Sequence, residues 1–303
     1  MKARHSHRRP PVVLTCAGLD PVGGAGLSAD IEAIAARGGR CAPVATTIAI
    51  QDTVGVRRLA PIPADVVVEQ AAAVLDDLPV SAIKLGVLGS AESARELAEL
   101  FRARAPTIPI LTDPVLAAGS GDALATADLQ DALFTHILPI STLATPNQGE
   151  LLQLAEGMRG PDSGAAEVTA ERLEHAARTL LATGCGALLA TGTDATAGTH
   201  VRNRLYTDDG VWAFDCHRLP GVFHGSGCTL ASAIAYGLAA AAPGRTSEEL
   251  AGQLRSIVQA ATDYTWRTLA TAHQLGRGQL HPNRFPSPDE AAESARPGVV
   301  DHG

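Results

Sequence analysis

Aromatic residues make up only 3% of the 303 residues and charged residues 18%, while the hydrophobic 46% is mainly Ala, Val, Leu and Ile. A core short of rings must be built from small and branched aliphatics, which suits helices packed on a parallel sheet. No stretch approaches the roughly eighteen uninterrupted apolar residues of a membrane span, so no transmembrane class is expected. A formal charge of −8 leaves no broad excess of Lys and Arg to neutralise phosphates. General nucleic-acid binding is thereby excluded and small-molecule chemistry expected. The cysteines at 16, 41, 185, 216 and 228 form neither a Cys-x-x-Cys pair nor a zinc spacing, and the histidines form no His-Glu-x-x-His cluster. They read as reduced thiols of a cytoplasmic protein without a His-bound metal. Residues 1–10 are basic, but the apolar run after them is too short for an export signal, so a disordered tail is expected there. With no internal repeat, one domain over 11–275 is expected, followed by a loose Pro- and acid-containing tail at 276–303.

What the chain does have is a glycine-flanked turn, His224-Gly225-Ser226-Gly227-Cys228-Thr229, running into the alanine-rich apolar stretch 230–241. A helix opening here aims unpaired N–H groups at one point, and its dipole adds positive character, so the turn suits a phosphoryl group. A thiol in that place should have a lowered pKa and could serve as base or nucleophile. The plain alternative is that Cys228 packs the first helical turn.

Earlier in the chain, an apolar strand from Pro11 to Cys16 ends in Ala17-Gly18-Leu19-Asp20-Pro21-Val22-Gly23-Gly24-Ala25-Gly26, before a helical pattern through Leu27, Ile31 and Ile34. The order is strand, glycine loop, helix, but the spacing is not that of a dinucleotide fingerprint; a loop over a small substrate and a flexible connection both remain open. Gln51 follows the strand 40–50, where its amide could pair with the edge of an aminopyrimidine or lie in solvent. Lys84 interrupts the strand 81–88, and an exposed edge position or a snorkelling side chain, without catalytic role, is expected for it. Asp113 follows a strand at 108–112, as a turn cap or as a carboxylate for magnesium-bound water. After a helix at 126–134 and a strand at 137–140, Asn147 and Glu150 have capping-box spacing, and Glu150 could also flank a magnesium–phosphate cluster. An exposed loop at 160–166, a helix at 170–183, a strand at 187–190, a hairpin turning at Asp208-Asp209-Gly210 and one long helix at 247–270 complete the reading.

Taken together, Ala17–Gly26, Gln51–Gly55, Lys84-Leu85-Gly86, Asp113-Pro114-Val115, Ser120-Gly121-Asp122, Thr145–Glu150 and Gly225–Thr229 resemble, in order, the hydroxymethylpyrimidine/phosphomethylpyrimidine kinases of thiamine biosynthesis, within the ribokinase-like superfamily. The resemblance implies a three-layer α/β fold, a mostly parallel central sheet with helices on both faces. It implies ATP as co-substrate, Mg2+, and phosphorylation of a pyrimidine alcohol and then of its monophosphate. The alternatives are a pyridoxal kinase and a non-catalytic pyrimidine-binding regulator. On the family pattern Cys228 is the base and Gly225, Ser226 and Gly227 form the anion hole. Gly18, Asp20, Gly24, Gln51 and Val87 bind the acceptor; Asn147, Thr191, Gly192 and Thr229 bind ATP; Asp113 and Glu150 organise the metal. A homodimer is one assembly the family pattern allows. The chain departs from that pattern at Thr191-Gly192-Thr193-Asp194, where the family often has Lys-Gly-Gly-His, at Gly119, often Lys, at Val87, often Met, and at Leu275–Gly278. Arg202 and Arg204 are the candidates to replace the missing phosphate-binding lysine.

Overall fold

The computed structural model describes residues 9–119, 121–157, 168–192, 198–242 and 247–287. Nine strands form one sheet: β1 (Val12–Leu19), β2 (Arg40–Gln51), β3 (Val56–Pro61), β4 (Val80–Leu85), β5 (Ile110–Thr112), β6 (Leu143–Ala144), β7 (Leu188–Ala190), β8 (His200–Thr207) and β9 (Gly210–His217), in the order β3-β2-β1-β4-β5-β6-β7-β8-β9. The six from β2 to β7 pair parallel, and antiparallel β3, β8 and β9 form the edges. This is the expected α/β architecture.

Successive strand residues point to opposite faces, and both faces are covered. Leu14, Ile83 and Leu188 pack with α2 (Ala64–Asp77), α3 (Ala91–Arg104), α4 (Ala127–Ala132), α5 (Gln148–Glu156) and α6 (Ala170–Leu181). Their neighbours Val13, Ala82 and Leu189 pack with α1 (Gly26–Ala36), α7 (Ser226–Ala241) and α9 (Leu254–Ala270). Among the described residues, no helix is long and apolar enough to cross a membrane. Parallel strands deliver their carboxyl ends to one edge, so the segments after β1, β4, β5, β6 and β7 emerge together, with the start of α7 at the same edge.

Three expectations change. The strand expected at 137–140 is instead a pair of helical turns, Leu133–Ile137 and Leu138–Ile140, continuing α4, and the strand lies later, at β6. A short apolar run with Ile137 and Leu138 both buried fits either state, and Pro139 suits the first turn of a helix. The helix expected over 247–270 is broken at Gly252 and Gln253 into α8 (Ser247–Ala251) and α9, consistent with the low helix propensity of glycine. The segment from Gly276 is not loose as far as Ser287: Gln279 N–H donates to Thr53 O, and His281 and Arg284 are buried. Residues 288–303, most of the tail 1–10 and the loop 160–166 lie outside the described residues.

Candidate active site

The first helical bond of α7 runs from Thr229 N–H to Gly225 O, so the amides of Ser226, Gly227 and Cys228 precede any acceptor within the helix. Gly225 caps this helix in the left-handed conformation, at φ 75°, and a Cβ there would meet Gly24 O at 1.9 Å. Only glycine fits. Gly227 differs: a Cβ on it would meet nothing within 4 Å. With Ser226 and Cys228 it lines the cleft, so this turn is accessible to an anion.

On one side of this turn, Asp20 closes the glycine loop. Its Oδ1 accepts from Val22 N–H at 2.9 Å, and its Oδ2 accepts from Ala25 N–H and lies 2.8 Å from His224 Nε2. Burial alone would raise the Asp20 pKa, but the bonds from His224 and the two amides prevail and leave it lowered. Gln51 Nε2 is 3.3 Å from the same His224 nitrogen. A carboxylate at hydrogen-bond distance requires Nε2 to carry its hydrogen, so that nitrogen offers Gln51 no lone pair. Gln51 also lines the cleft, where its amide can meet a ligand.

On the other side stand Asp113, after β5, and Glu150, in the first turn of α5. Glu150 Oε2 accepts from Asn147 N–H at 2.9 Å and Oε1 from Leu116 N–H at 3.2 Å, while Asn147 Oδ1 accepts from Glu150 N–H at 3.0 Å, completing the expected capping box. Asp113 Oδ1 accepts from Thr145 Oγ1 at 3.3 Å, but its buried Oδ2 has no partner. Burial raises the pKa of both acids; for Glu150 the charge of Asp113 adds to this and the value is pushed up to about 8. An orphan carboxylate oxygen beside an acid that holds its proton fits a hard divalent cation such as Mg2+. Among the described residues, no group of three His, Cys, Asp or Glu is placed to hold a metal alone.

Below them Lys84 is wholly buried, not exposed as expected, and its Nζ donates to Asp30 Oδ1 at 3.0 Å and Oδ2 at 3.1 Å, with Ser232 Oγ donating to Oδ1 at 2.6 Å. The signal was legible: opposite charges interrupt two buried apolar patterns, β4 and α1, and a buried charge needs a partner.

Cys228 also departs from expectation. Burial pushes its thiol up to about 12; Lys84 and the Gly26 amide lower it, while Asp113 and Asp30 raise it further. The helix terminus does not offset loss of water and two nearby carboxylates.

A cleft of about 560 Å³ joins both sides. Of the expected residues, its wall includes Gly18, Asp20, Gln51, Val87, Asp113, Asn147, Glu150, Thr191, Gly192, Gly225, Ser226, Gly227 and Cys228. Gly24 and Thr229 are not part of it. Gly24 lies under the His224 ring, and Thr229 is buried with its Oγ1 donating to Gly225 O and accepting from Arg284 Nε. Asp20 is in the wall with both oxygens engaged. Arg202 pairs with Asp215 across the hairpin instead of entering the cleft, whereas Arg218 does line it. Gly192 N–H donates to Asn203 Oδ1 at 3.0 Å, an anchor that spacing could not reveal.

A family model described as phosphomethylpyrimidine kinase matches residues 20–283. A hydroxymethylpyrimidine/phosphomethylpyrimidine kinase of Mycobacterium tuberculosis is 35% identical over 270 residues, 89% of this chain and 92% of the relative. Among solved structures, pyridoxal kinase from Staphylococcus aureus in complex with pyridoxal aligns at TM-score 0.75 and 23% identity, over 91% of this chain and 94% of that one. Phosphomethylpyrimidine kinase from Clostridium difficile aligns at TM-score 0.64 and 25% identity, over 83% and 99%.

Proposed function

The chain belongs to the phosphomethylpyrimidine kinase family, and on that premise we propose that it transfers the γ-phosphoryl group of ATP to 4-amino-5-hydroxymethyl-2-methylpyrimidine and then to the monophosphate so formed. The observation that carries this reading is the single cleft that brings the first turn of α7, Ser226 to Cys228, between Gln51 and Asp113 with its unpartnered Oδ2. Phosphoryl transfer depends mainly on positioning and charge stabilisation, and this arrangement offers both.

Gln51 orients the heterocycle and Gly18 and Val87 line its place. The three amides of α7 hold the transferring phosphoryl oxygens, and Cys228 Sγ is the acceptor for the hydroxymethyl proton. Since the thiol keeps its own proton in the open cleft, this proton must leave first, and the nearby Asp113 carboxylate, whose charge helps to raise the thiol pKa, can receive it. Asn147, Thr191 and Gly192 border the ATP side, with Arg218 as its cation. Mg2+, held by Asp113 and Glu150 through water, would neutralise phosphate charge there. The described chain acts as one kinase domain that includes 276–287, and its five unpaired cysteines suit the cytoplasm.

Measuring ATP consumption with hydroxymethylpyrimidine, its monophosphate and pyridoxal tests the proposal. Turnover with both pyrimidines and little with pyridoxal is expected. Preference for pyridoxal would move the chain to the vitamin B6 alcohols, and binding of pyrimidine without ATP consumption would make it a regulator.

A further inference from the structure

The segment beyond α9 places a guanidinium behind the anion site. Arg284 is 2% exposed and reaches three other parts of the chain. Its Nε donates to Thr229 Oγ1 at 3.0 Å, in the first turn of α7. Its Nη1 donates to Glu32 Oε2 at 2.9 Å, on α1, and to Gly23 O at 3.3 Å, while Nη2 donates to Gly24 O. Tyr264 Oη donates to the Arg284 carbonyl at 2.9 Å and fixes the residue itself.

The two glycine segments that it joins meet with no slack. A Cβ on Gly24 would lie 1.9 Å from the His224 ring, and one on Gly225 1.9 Å from Gly24 O. The loop closed by Asp20 and the turn bearing the phosphoryl-binding amides thus share one contact, and the Arg284 fork spans its back. A cation at a helix N-terminus opposes the helix dipole, so helix stability alone does not explain this choice. It is suited to a helix start that must receive an anion. A planar fork also matters, because three donor nitrogens reach three separate segments, which a lysine ammonium cannot do in one plane.

We propose that Arg284 is a positioning residue for phosphoryl transfer: it locks the Gly23–Gly24 turn to the first turn of α7 and so sets the acceptor groups in register with the Ser226–Cys228 amides. The inference rests on the kinase reading above.

The test compares full-length wild type, Arg284→Lys and Arg284→Ala in steady-state kinetics with hydroxymethylpyrimidine and ATP, beside thermal melts and ATP-binding titrations. Arg284→Lys should keep a cooperative melt and ATP affinity within a few-fold of wild type, yet lose about 10- to 100-fold in kcat, because misplacement acts on the transition state. Millimolar guanidinium ion should restore part of the turnover of Arg284→Ala, which a purely structural defect would not allow. If Arg284→Ala does not fold, Arg284→Lys decides alone; if neither folds, or if the lysine variant has wild-type kcat and KM, the proposal is overturned. A wild-type protein that phosphorylates no pyrimidine alcohol would instead overturn the kinase reading on which it rests.

Discussion

Around Gln51 and His224 both oxygens of Asp20 have donors, whereas across the cleft Asp113 Oδ2 has none. All three acids, Asp20, Asp113 and Glu150, lose water on burial, so desolvation does not distinguish the sides. Neighbours do: Asp20 has His224 as well as two amides and its pKa is lowered, whereas Glu150, also with two amides, faces the charge of Asp113, and the pKa values of both Asp113 and Glu150 are raised. The acceptor side is electrostatically complete before any ligand arrives, while the donor side is short of positive charge. On the proposed reading, such a site would hold the pyrimidine in a finished frame and leave the place of the phosphates and their cation to be completed by them.

Cys228 lies at the seam, and its loss should have the largest effect. Cys228→Ser should retain the fold and ATP binding, which rest on backbone amides, while turnover falls by roughly 10²- to 10⁴-fold, as on removal of a general base. Because burial pushes the thiol up to about 12, kcat/KM of the wild type should keep rising with pH, without an inflection below the ordinary thiol range. Undiminished turnover in the serine variant would make Cys228 a packing residue, and the seam would belong to neither side.

The next effect sharpens the contrast. Asp113→Asn should raise the Mg2+ concentration for half-maximal turnover by about 10- to 100-fold, and Gln51→Ala should leave that concentration unchanged. Conversely, Gln51→Ala should raise the KM for the pyrimidine by about tenfold, the equivalent of one matched hydrogen bond, with the ATP KM unaltered. Magnesium titrations that overlay the wild type, or equal losses of both substrates, would erase the distinction between the sides.

The fold was legible where signals were local. Leu14, Ile83 and Leu188 alternate with apolar neighbours on strands, Asp208-Asp209-Gly210 marks the hairpin, and Asn147 with Glu150 marks the start of α5. A short apolar run such as 137–140 carries no period, and it is helical rather than the expected strand. In the site, most of the residues that motif spacing singled out line the cleft, but spacing did not reveal the bonds between distant segments. Thr229 belongs to the motif, yet its hydroxyl points away from the cleft to Gly225 O and Arg284. The charges of Lys84 and Asp30 inside apolar patterns signal that each needs a partner, but the return of Arg284 to α7 requires a tertiary contact that no window of sequence contains. The direction of the Cys228 pKa was missed for the same reason, since burial and neighbouring carboxylates are properties of the assembled cleft.

The smallest expected effect separates the two sides by pH. In the free chain Glu150 would lose its proton near its ordinary value of 4.5, but in the folded protein only near 8, after burial and the charge of Asp113. Between these values the folded state binds more protons than the unfolded one, so stability must fall as pH rises, and level off above the folded value. Asp113 is shifted in the same direction. Asp20 behaves oppositely: its lowered pKa contributes stability that is present above its ordinary value of 3.8 and lost at lower pH. His281, kept neutral mainly by burial, changes stability only below its ordinary 6.5, and the half-buried Cys228 only above its ordinary 9.0, which isolates a window from 6.5 to 8. In that window, urea midpoints of metal-free protein should decline with pH by an amount on the order of 1 kcal/mol per unit at most. Glu150→Gln, which cannot titrate, should flatten the slope although it starts less stable, having lost an acceptor for Asn147 or Leu116. Mg2+ with ADP should flatten the wild-type slope too, because a cation offsets the charge that the proton otherwise removes. A wild-type profile that is already flat from 6.5 to 8 would show that the donor side is as complete as the acceptor side, and that the asymmetry between them does not exist.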